Sequence, residues 1–407
     1  MNKKNCAFTI CSKNYLAQAF TLKESFIKHN TDKDFYIFLA DKIDSSVKRW
    51  DEVVQLSEEF IPKWEEMAFK YNVIEFNTSI KPFCFQKLFC TGYENVIYLD
   101  PDIYVLDSFD VVYNDLNNKD MVVTPHCTHI QDEFTGAVSE EELLFVGIYN
   151  LGFCGIKNSA VGNTIINWWM NRLEKRCFVD KIDALHVDQK WIDFLPAFFP
   201  NELLVSHHLG YNVAVWNLFE RELVVENSKF FVKDIFSGEL FPLIFFHFSG
   251  FDPERKDVIN RRHPKYNVSI YPSFIPLIQD YAKQEFKNNY EYYTYLKYDF
   301  NNYSNGNKIL PFHRRIYDEL KDRKLLQCPF DCNQDFYKLL KKKRLLSKIY
   351  NDNTAVYRQS VNNKGKKLHV LKKMMQLIER FLKGDKYQLL LNALADISRN
   401  KNQGFLI

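Results

Sequence analysis

Apolar positions follow two rhythms along the first third of the chain. Residues 7–11 are a short apolar run centred on β-branched Thr9 and Ile10. Over residues 15–29, Leu16, Ala19, Phe20, Leu22, Phe26 and Ile27 then recur at helical spacing. The spacing predicts a strand followed by a helix. A second apolar run, residues 35–40, ends at Asp41, and Val47, Trp50, Val53, Val54 and Leu56 beyond it predict another amphipathic helix. Pro82 suits a first helical turn, so residues 83–90 read as helix, and residues 96–99 (Val-Ile-Tyr-Leu) as a strand buried on both faces. Strands follow at 121–124, 151–156 and 243–248. Ser159 is a cap for a helix over 159–176 that turns Ile165, Trp168, Trp169 and Leu173 inward. Strands alternating with helices predict an α/β, Rossmann-like fold, a mainly parallel sheet flanked by helices. The polar stretch holding Gln131, Asp132, Glu133, Glu140, Glu141 and Glu142 reads as a loop long enough to form a lid.

Beyond about residue 270 the text turns Tyr-rich and then Lys-rich. We therefore divide the chain into a principal domain over 1–270 and a helical C-terminal region over 271–407, with 301–307 (Asn-Asn-Tyr-Ser-Asn-Gly-Asn) as the linker. A length of 407 residues, 46% hydrophobic, supports such a division. Net charge is only +3, but residues 333–407 carry 17 Lys plus Arg against 5 Asp plus Glu, leaving an acidic remainder. The two parts are expected to have different partners, nucleic acid not among them. Amphipathic Leu/Lys stretches at 337–349 and 368–382 fit contact with an anionic inner membrane surface, or equally a solvated face on a packing helix. Nine scattered cysteines suit reduced core residues, and no secretory signal or membrane-length apolar run is visible, so a cytoplasmic location is expected.

The chemistry concentrates where the 96–99 strand ends in Asp100-Pro101-Asp102. Ligands of open α/β folds bind at the carboxyl edge of the sheet. In an extended segment Asp100 and Asp102 would face opposite ways, and a turn at Pro101 can bring both carboxylates to one hard cation. Mg²⁺ or Mn²⁺ held by few protein oxygens keeps positions for substrate phosphates. Solvated turn residues are the plain alternative. The second apolar strand delivers His247 into a turn with Ser249 and Gly250, adding an imidazole for Mn²⁺ and a glycine that lets a phosphate approach.

With these segments in order, residues 5–260 resemble the retaining nucleotide-sugar glycosyltransferases of the GT-A fold, the group around glycogenin and the lipopolysaccharide sugar transferases of glycosyltransferase family 8. The resemblance rests on the opening strand with Ser12 and Tyr15, Tyr-Leu-Asp-Pro-Asp-Ile, Asn150-Leu151-Gly152-Phe153 with Asp188-Gln189, and His247-Phe248-Ser249-Gly250. It implies that Asp100, Asp102 and His247 bind Mn²⁺ or Mg²⁺, and that Ser12 and Tyr15 contact the base of a nucleotide-sugar, a UDP-sugar first. It further implies that Asn150, Gly152, Asp188 and Gln189 shape the sugar pocket. The family's lysine and tryptophan after the late histidine turn are not reproduced; Arg255, Lys256, Arg261 and Arg262 lie nearby as substitutes for the diphosphate, Lys256 first. Residues 210–218 and 248–253 look closer to a bacterial subgroup associated with surface-polysaccharide clusters. The acceptor would be a glycan, a lipid-linked sugar or a protein, and the enzyme would work in the cytoplasm or at the inner face of the membrane.

Transfer with retention needs stabilisation of a leaving diphosphate and of an oxocarbenium-like centre. Asp188 is the candidate nucleophile or stabiliser, with Gln189 beside it and Asp132 and Glu133 as rivals. Asp188 also reads as a cap for a helix starting at Gln189. His126 and His129 form a further candidate metal pair, and Trp216, beside Asn212 and Asn217, a candidate sugar platform. Two other readings stand: a haloacid-dehalogenase-like phosphoryl transferase, in which the first Asp is the nucleophile, and a non-catalytic sugar-binding protein of the same fold.

Overall fold

The computed structural model describes residues 4–227, 229–255, 257–264, 266–320, 325–346, 364–382, 384–399 and 404–406. Strand β1 (Asn5–Cys11), helix α1 (Leu16–His29), β2 (Asp34–Leu39) and β3 (Val53–Gln55) open the chain. Helices α2 (Trp64–Lys70), α3 (Val73–Ser79) and α4 (Lys81–Cys90) precede β4 (Asn95–Leu99) and β5 (Ile103–Val105). Then come α5 (Asp110–Asn118), β6 (Met121–Pro125), α6 (Glu140–Val146), β7 (Tyr149–Lys157) and α7 (Ala160–Arg176). A small hairpin, β8 (Val179–Asp180) and β9 (Leu185–His186), leads to α8 (Gln189–Ile192), α9 (Leu195–Phe198) and β10 (Leu203–Val205). The strands β11 (Arg221–Glu226), β12 (Lys229–Asp234), β13 (Leu240–Pro242) and β14 (Phe245–His247) are followed by α10 (Ile275–Lys287) and α11 (Tyr290–Tyr293).

Seven strands form the central sheet in the order β10-β6-β7-β4-β1-β2-β3. All pair in parallel except β7, which runs antiparallel to both β4 and β6. The expected α/β architecture is therefore observed. Helix α1 packs on β2 and β5, α4 on β4, and α5 on β6 and β7. Every residue of β4 is buried, as its unbroken apolar run requires for a central strand. Ser159 Oγ caps α7 by accepting from Gly162 N at 2.9 Å, and Pro82 sits in the first turn of α4. Trp169 is buried in α7, whereas Trp168 is only half-buried and packs on Trp191 and Phe198.

Two expected elements differ. Residues 50–52 form a short 3₁₀ turn and 53–55 the edge strand β3, not an amphipathic helix, and Trp50 stays exposed. The β-branched Val53 and Val54 suit a strand, and pairing with β2 satisfies backbone groups along the sheet edge. Residues 301–307 are not a linker. Tyr303 is buried there, an Asn302–Lys308 bridge closes the turn, and Asn307 Nδ2 donates to the Tyr337 hydroxyl. Asn-rich composition marks turns as well as linkers, and packing separates the two.

The chain forms two compact units. The sheet-bearing unit comprises Met1–Met67 and Val73–Asp299; the second comprises Ala68–Asn72 and Phe300–Ile407. The first unit thus runs on past residue 270 to take in α10 and α11, because the apolar faces of these helices complete its core. Leu277, Ile278 and Tyr281 join Phe246 and Phe248 in one buried cluster, and Tyr290 and Tyr293 join the α1 cluster. In the second unit Phe69, Tyr303, Tyr317, Phe336 and Leu340 form the core. Buried Arg314 organises it by donating to the carbonyls of Phe69, Tyr71 and Phe300 at 2.6–2.7 Å.

Candidate metal and donor site

The acidic segment is a closed turn. Asp100 N donates to Gly152 O (2.7 Å) and Ile103 N to Asp100 O (3.1 Å), which folds the chain around Pro101. The late histidine arrives by strand pairing: β14 runs antiparallel to β5 with His247 opposite Ile103. Phe248 N donates to Asp102 O and His247 N to Val213 O, both at 2.8 Å. His247 Nε2 consequently stands 3.1 Å from Asp102 Oδ1 and 3.8 Å from Asp100 Oδ2. One ligand atom from each of the three residues lies within 4.8 Å of the others, and no other His/Cys/Asp/Glu group among the described residues converges in this way.

A chain of side-chain hydrogen bonds orients the imidazole. Asn212 Nδ2 donates to Thr124 Oγ1 and Asn150 Oδ1 (3.0 Å each), so Asn212 Oδ1 must face His247 Nδ1 at 3.2 Å and accept from it. That puts a proton on Nδ1 and turns Nε2 to the carboxylates. Asn150 Oδ1 also accepts from Gly152 N (3.1 Å), and its Nδ2 lies 3.4 Å from His126 Nε2, while His126 Nδ1 donates to Ile148 O at 3.1 Å. Burial pushes His126 down to about 4, so it stays neutral and can accept from Asn150. Burial opposes charge on His247, but the neighbouring Asp102 and Asp100 overcome it and raise its pKa. Burial likewise would raise Asp102, and His247 holds it below its ordinary value. Two carboxylates and an oriented imidazole are a donor set that fits Mn²⁺ or Mg²⁺. Gly152 is required by space: a Cβ there would stand 2.4 Å from His247 Cε1 and 2.8 Å from Asn150 Oδ1.

Behind Asp100 lies a charge that the sequence reading missed. Lys81, 2% exposed at the start of α4, reaches Asp188 Oδ2 at 2.8 Å and Asp100 Oδ1 at 3.8 Å, and donates to Leu151 O at 2.8 Å. Its ammonium also sits 4.1 Å from the centre of the Tyr98 ring. Burial would lower Lys81, but the charges of Asp188 and Asp100 raise it. Asp188 precedes α8 but makes no side-chain cap, because its carboxylate is held by Lys81. The only sequence signal for this pair is a lysine next to the apolar start of a helix.

The remaining candidates fall in several places. Gln189 is committed to backbone, accepting from Leu151 N (3.0 Å) and donating to Val146 O (2.8 Å). Ser12 is buried and donates to Asn14 Oδ1, while Tyr15 lines a cavity with Asp102, Gly250 and Arg261. Ser249 O accepts from Asn260 Nδ2, and Gly250 adopts φ +69°, which suits glycine. A Cβ on Gly250 would come within 3.1 Å of Arg262 Nε. Lys256 lies outside the described residues. Asp132 and Glu133 are exposed on their loop, which is anchored by Ala137 against Trp216 and Tyr266.

Two expectations are corrected. Trp216 is no sugar platform: it is buried and packs edge-on against the His247 ring at 5.1 Å. His126 and His129 do not share a centre, since His126 joins the Asn150 chain and His129 lies between Glu220 and Asp234, 3.3 Å from each. Sequence spacing alone could not tell that the two imidazoles diverge.

No protein-family model matches the chain. The uncharacterized proteins YfnF and YfnD of Bacillus subtilis (strain 168) are each 24% identical to it, over 259 and 254 residues, 60% of this chain and 80% and 76% of theirs. Among solved structures, similar ones include the galactosyltransferase LgtC in complex with donor and acceptor sugar analogues (14% identity, 69% of this chain and 99% of that chain, TM-score 0.39). The apo-form glycosyltransferase GlyE of Streptococcus pneumoniae TIGR4 is another (16% identity, 51% of this chain and 46% of that chain, TM-score 0.33).

Proposed function

We propose that the chain is a metal-dependent glycosyltransferase that takes a sugar from a nucleotide-sugar, a UDP-sugar first, and passes it with retention to a glycan, lipid-linked or protein acceptor. The observation that carries this reading is the convergence of Asp100, Asp102 and an imidazole oriented by Asn212 at the carboxyl edge of a largely parallel sheet. Asp100, Asp102 and His247 would hold Mn²⁺ or Mg²⁺. When bound, the ion supplies Lewis-acid neutralisation of the charge that develops on a departing nucleoside diphosphate.

The chain's own residues supply the rest. Gly250 opens the backbone beside Asp102 to a phosphate, Arg261 and Arg262 bring positive charge to the same edge, and Lys256 is proposed to join them. Tyr15 and Ser12 belong to the turn that receives the base. Asn150 and Gly152 form the floor beneath His247. Asp188, buried and partnered by Lys81, is proposed to stabilise positive charge at the anomeric centre from behind Asp100, and Gln189 to hold the 146–151 segment in place.

The helix Lys364–Leu382 leaves Val370, Met374, Leu377 and Phe381 exposed at helical spacing, with Lys372 and Lys373 exposed beside them. We propose that this face contacts an anionic inner membrane surface; no helix among the described residues is long and apolar enough to cross a membrane.

Mn²⁺-dependent binding and turnover of a panel of UDP-, GDP- and dTDP-sugars tests the assignment. Asp102→Ala is expected to abolish both with the melting curve retained. Turnover by that variant at the native rate, still requiring metal, would overturn the site assignment, and phosphatase activity without nucleotide-sugar binding would replace the reading with a phosphoryl transferase.

A further inference from the structure

Four aromatic rings form a closed quartet on the surface of the sheet-bearing unit. Trp168 of α7 meets Trp191 of α8 edge-on at 6.4 Å and Phe198 of α9 at 5.9 Å. Phe194 completes the quartet, its ring near-parallel to Trp191 (6.4 Å) and to Phe198 (5.7 Å). The two tryptophans are half-buried, and the Trp191 indole N–H donates to Arg176 O at 3.2 Å, which fixes α8 to the end of α7. The phenylalanines stay 50% and 52% exposed. Ile148, 47% exposed, adds to this surface, its backbone N–H held by Asp193 Oδ1 (3.0 Å) one residue before Phe194. Single exposed apolar residues are ordinary on a protein surface, whereas a packed group of them marks an interaction face.

Positive charge borders the quartet. Trp168, Arg172 and Lys175 follow one another at i, i+4 and i+7 on α7, so a cationic stripe leads away from the rings along one face of the helix. The Arg172 guanidinium lies 5.7 Å from the centre of the Trp168 ring. Arg172, Lys175 and Arg176 are all exposed, and among the described residues none of them has a carboxylate partner. Glu174, in the same turn, reaches Lys63 at 2.7 Å instead. Apart from its basic tail the chain is acidic, so this positive edge is a local arrangement and not a general surplus.

We propose that the α7–α9 face docks the sheet-bearing unit on an anionic phospholipid surface. Phe194 and Phe198 enter the boundary between headgroups and acyl chains, and Arg172, Lys175 and Arg176 meet the phosphates. A second copy of the chain fits this face less well, because a two-fold contact on the quartet would bring two cationic edges together. A neutral sugar would leave the cations without a role. The contact is separate from the helix Lys364–Leu382 and assumes nothing about the chemistry at Asp100. Asp188 immediately precedes α8, so on the glycosyltransferase reading docking presents that segment to an acceptor carried on a lipid.

Tryptophan fluorescence isolates this face, since all six tryptophans lie at or before residue 216 and the basic tail has none. The full chain carrying Trp50→Phe, which removes an indole exposed elsewhere, is titrated with equimolar phosphatidylcholine–phosphatidylglycerol vesicles whose acyl chains are brominated. Quenching is expected on these vesicles and far less on phosphatidylcholine alone. Phe194→Ser with Phe198→Ser should raise the lipid concentration at half-quenching by about tenfold or more, with a melting curve near native. Arg172→Glu with Lys175→Glu should raise it by about the same factor. Leu377→Glu with Phe381→Glu, confined to the tail, should leave the quenching at saturating lipid as it is. Tryptophan that stays unquenched, whether or not the chain co-sediments, or a native titration by the Phe194/Phe198 variant, would overturn the contact and leave the site at Asp100 untouched. A lipid-free dimer that the same two substitutions dissolve would overturn it too, assigning the face to a second copy.

Discussion

Asn212 shows how much one residue decides at this site. It adopts a left-handed backbone (φ +50°), which asparagine tolerates, and its amide joins β6, β7 and β14 through Thr124, Asn150 and His247. Asn212→Gly keeps the backbone conformation and removes the acceptor of His247 Nδ1–H. We expect Mn²⁺ affinity to fall 10–100-fold, the range for outer partners of metal-bound histidines, as read by calorimetric titration, with circular dichroism unchanged. Glu285 permits a pH prediction. Its folded pKa, about 8, lies above the ordinary 4.5, so between these values the folded state keeps a proton that the unfolded chain has released. Stability therefore falls as pH rises through that window and levels off above it, by at most about 5 kcal/mol. Glu285→Gln should remove this slope, melting at higher temperature than the native protein at pH 9 and close to it at pH 5. Parallel melting curves at both pH values would contradict it.

At the scale of elements, the site is a meeting of strand ends. β4 supplies the acidic turn, β5 and β14 bring His247 to Asp102 by register, and β7 lies beneath, with Gly152 the only residue type that leaves room for the imidazole. Gly152→Ala is expected to displace His247 and abolish Mn²⁺ binding at a melting temperature near native, because the clash falls on a side chain and not on the sheet backbone. The link between α4 and the segment before α8 is electrostatic. Lys81→Met leaves Asp188 buried without its partner and should cost about 3–5 kcal/mol in denaturant unfolding. Adding Asp188→Leu should recover most of that loss, since the penalty belongs to the unpaired charge. A double variant as unstable as the single one would show that Asp188 matters through packing instead.

For the whole molecule, the charge asymmetry and the exposed apolar face of Lys364–Leu382 make one prediction. Leu377→Glu with Phe381→Glu should lower co-sedimentation with anionic vesicles several-fold and leave turnover on a soluble acceptor unchanged. Equal vesicle binding by the native and altered chains would remove the membrane contact. The two-unit arrangement also locates where composition misleads. The change of text near residue 270 is real, yet α10 and α11 belong with the sheet because their apolar residues have nowhere else in that unit to be buried.

Local order determined what could be read directly. The unbroken apolar run of β4, the cap at Ser159 and the Pro between two aspartates are short-range features, and their consequences follow from backbone sterics and burial alone. A stripe over residues 47–56 fits both helix and edge strand, and only the presence of β2 alongside chooses the strand. Pairings across long separations were decided by tertiary structure: Lys81 with Asp188, Asn212 with His247, Glu285 beside Asp102. No periodicity encodes these pairings, because a buried polar group is stabilised by whichever partner the fold delivers, and the fold is set by apolar residues elsewhere.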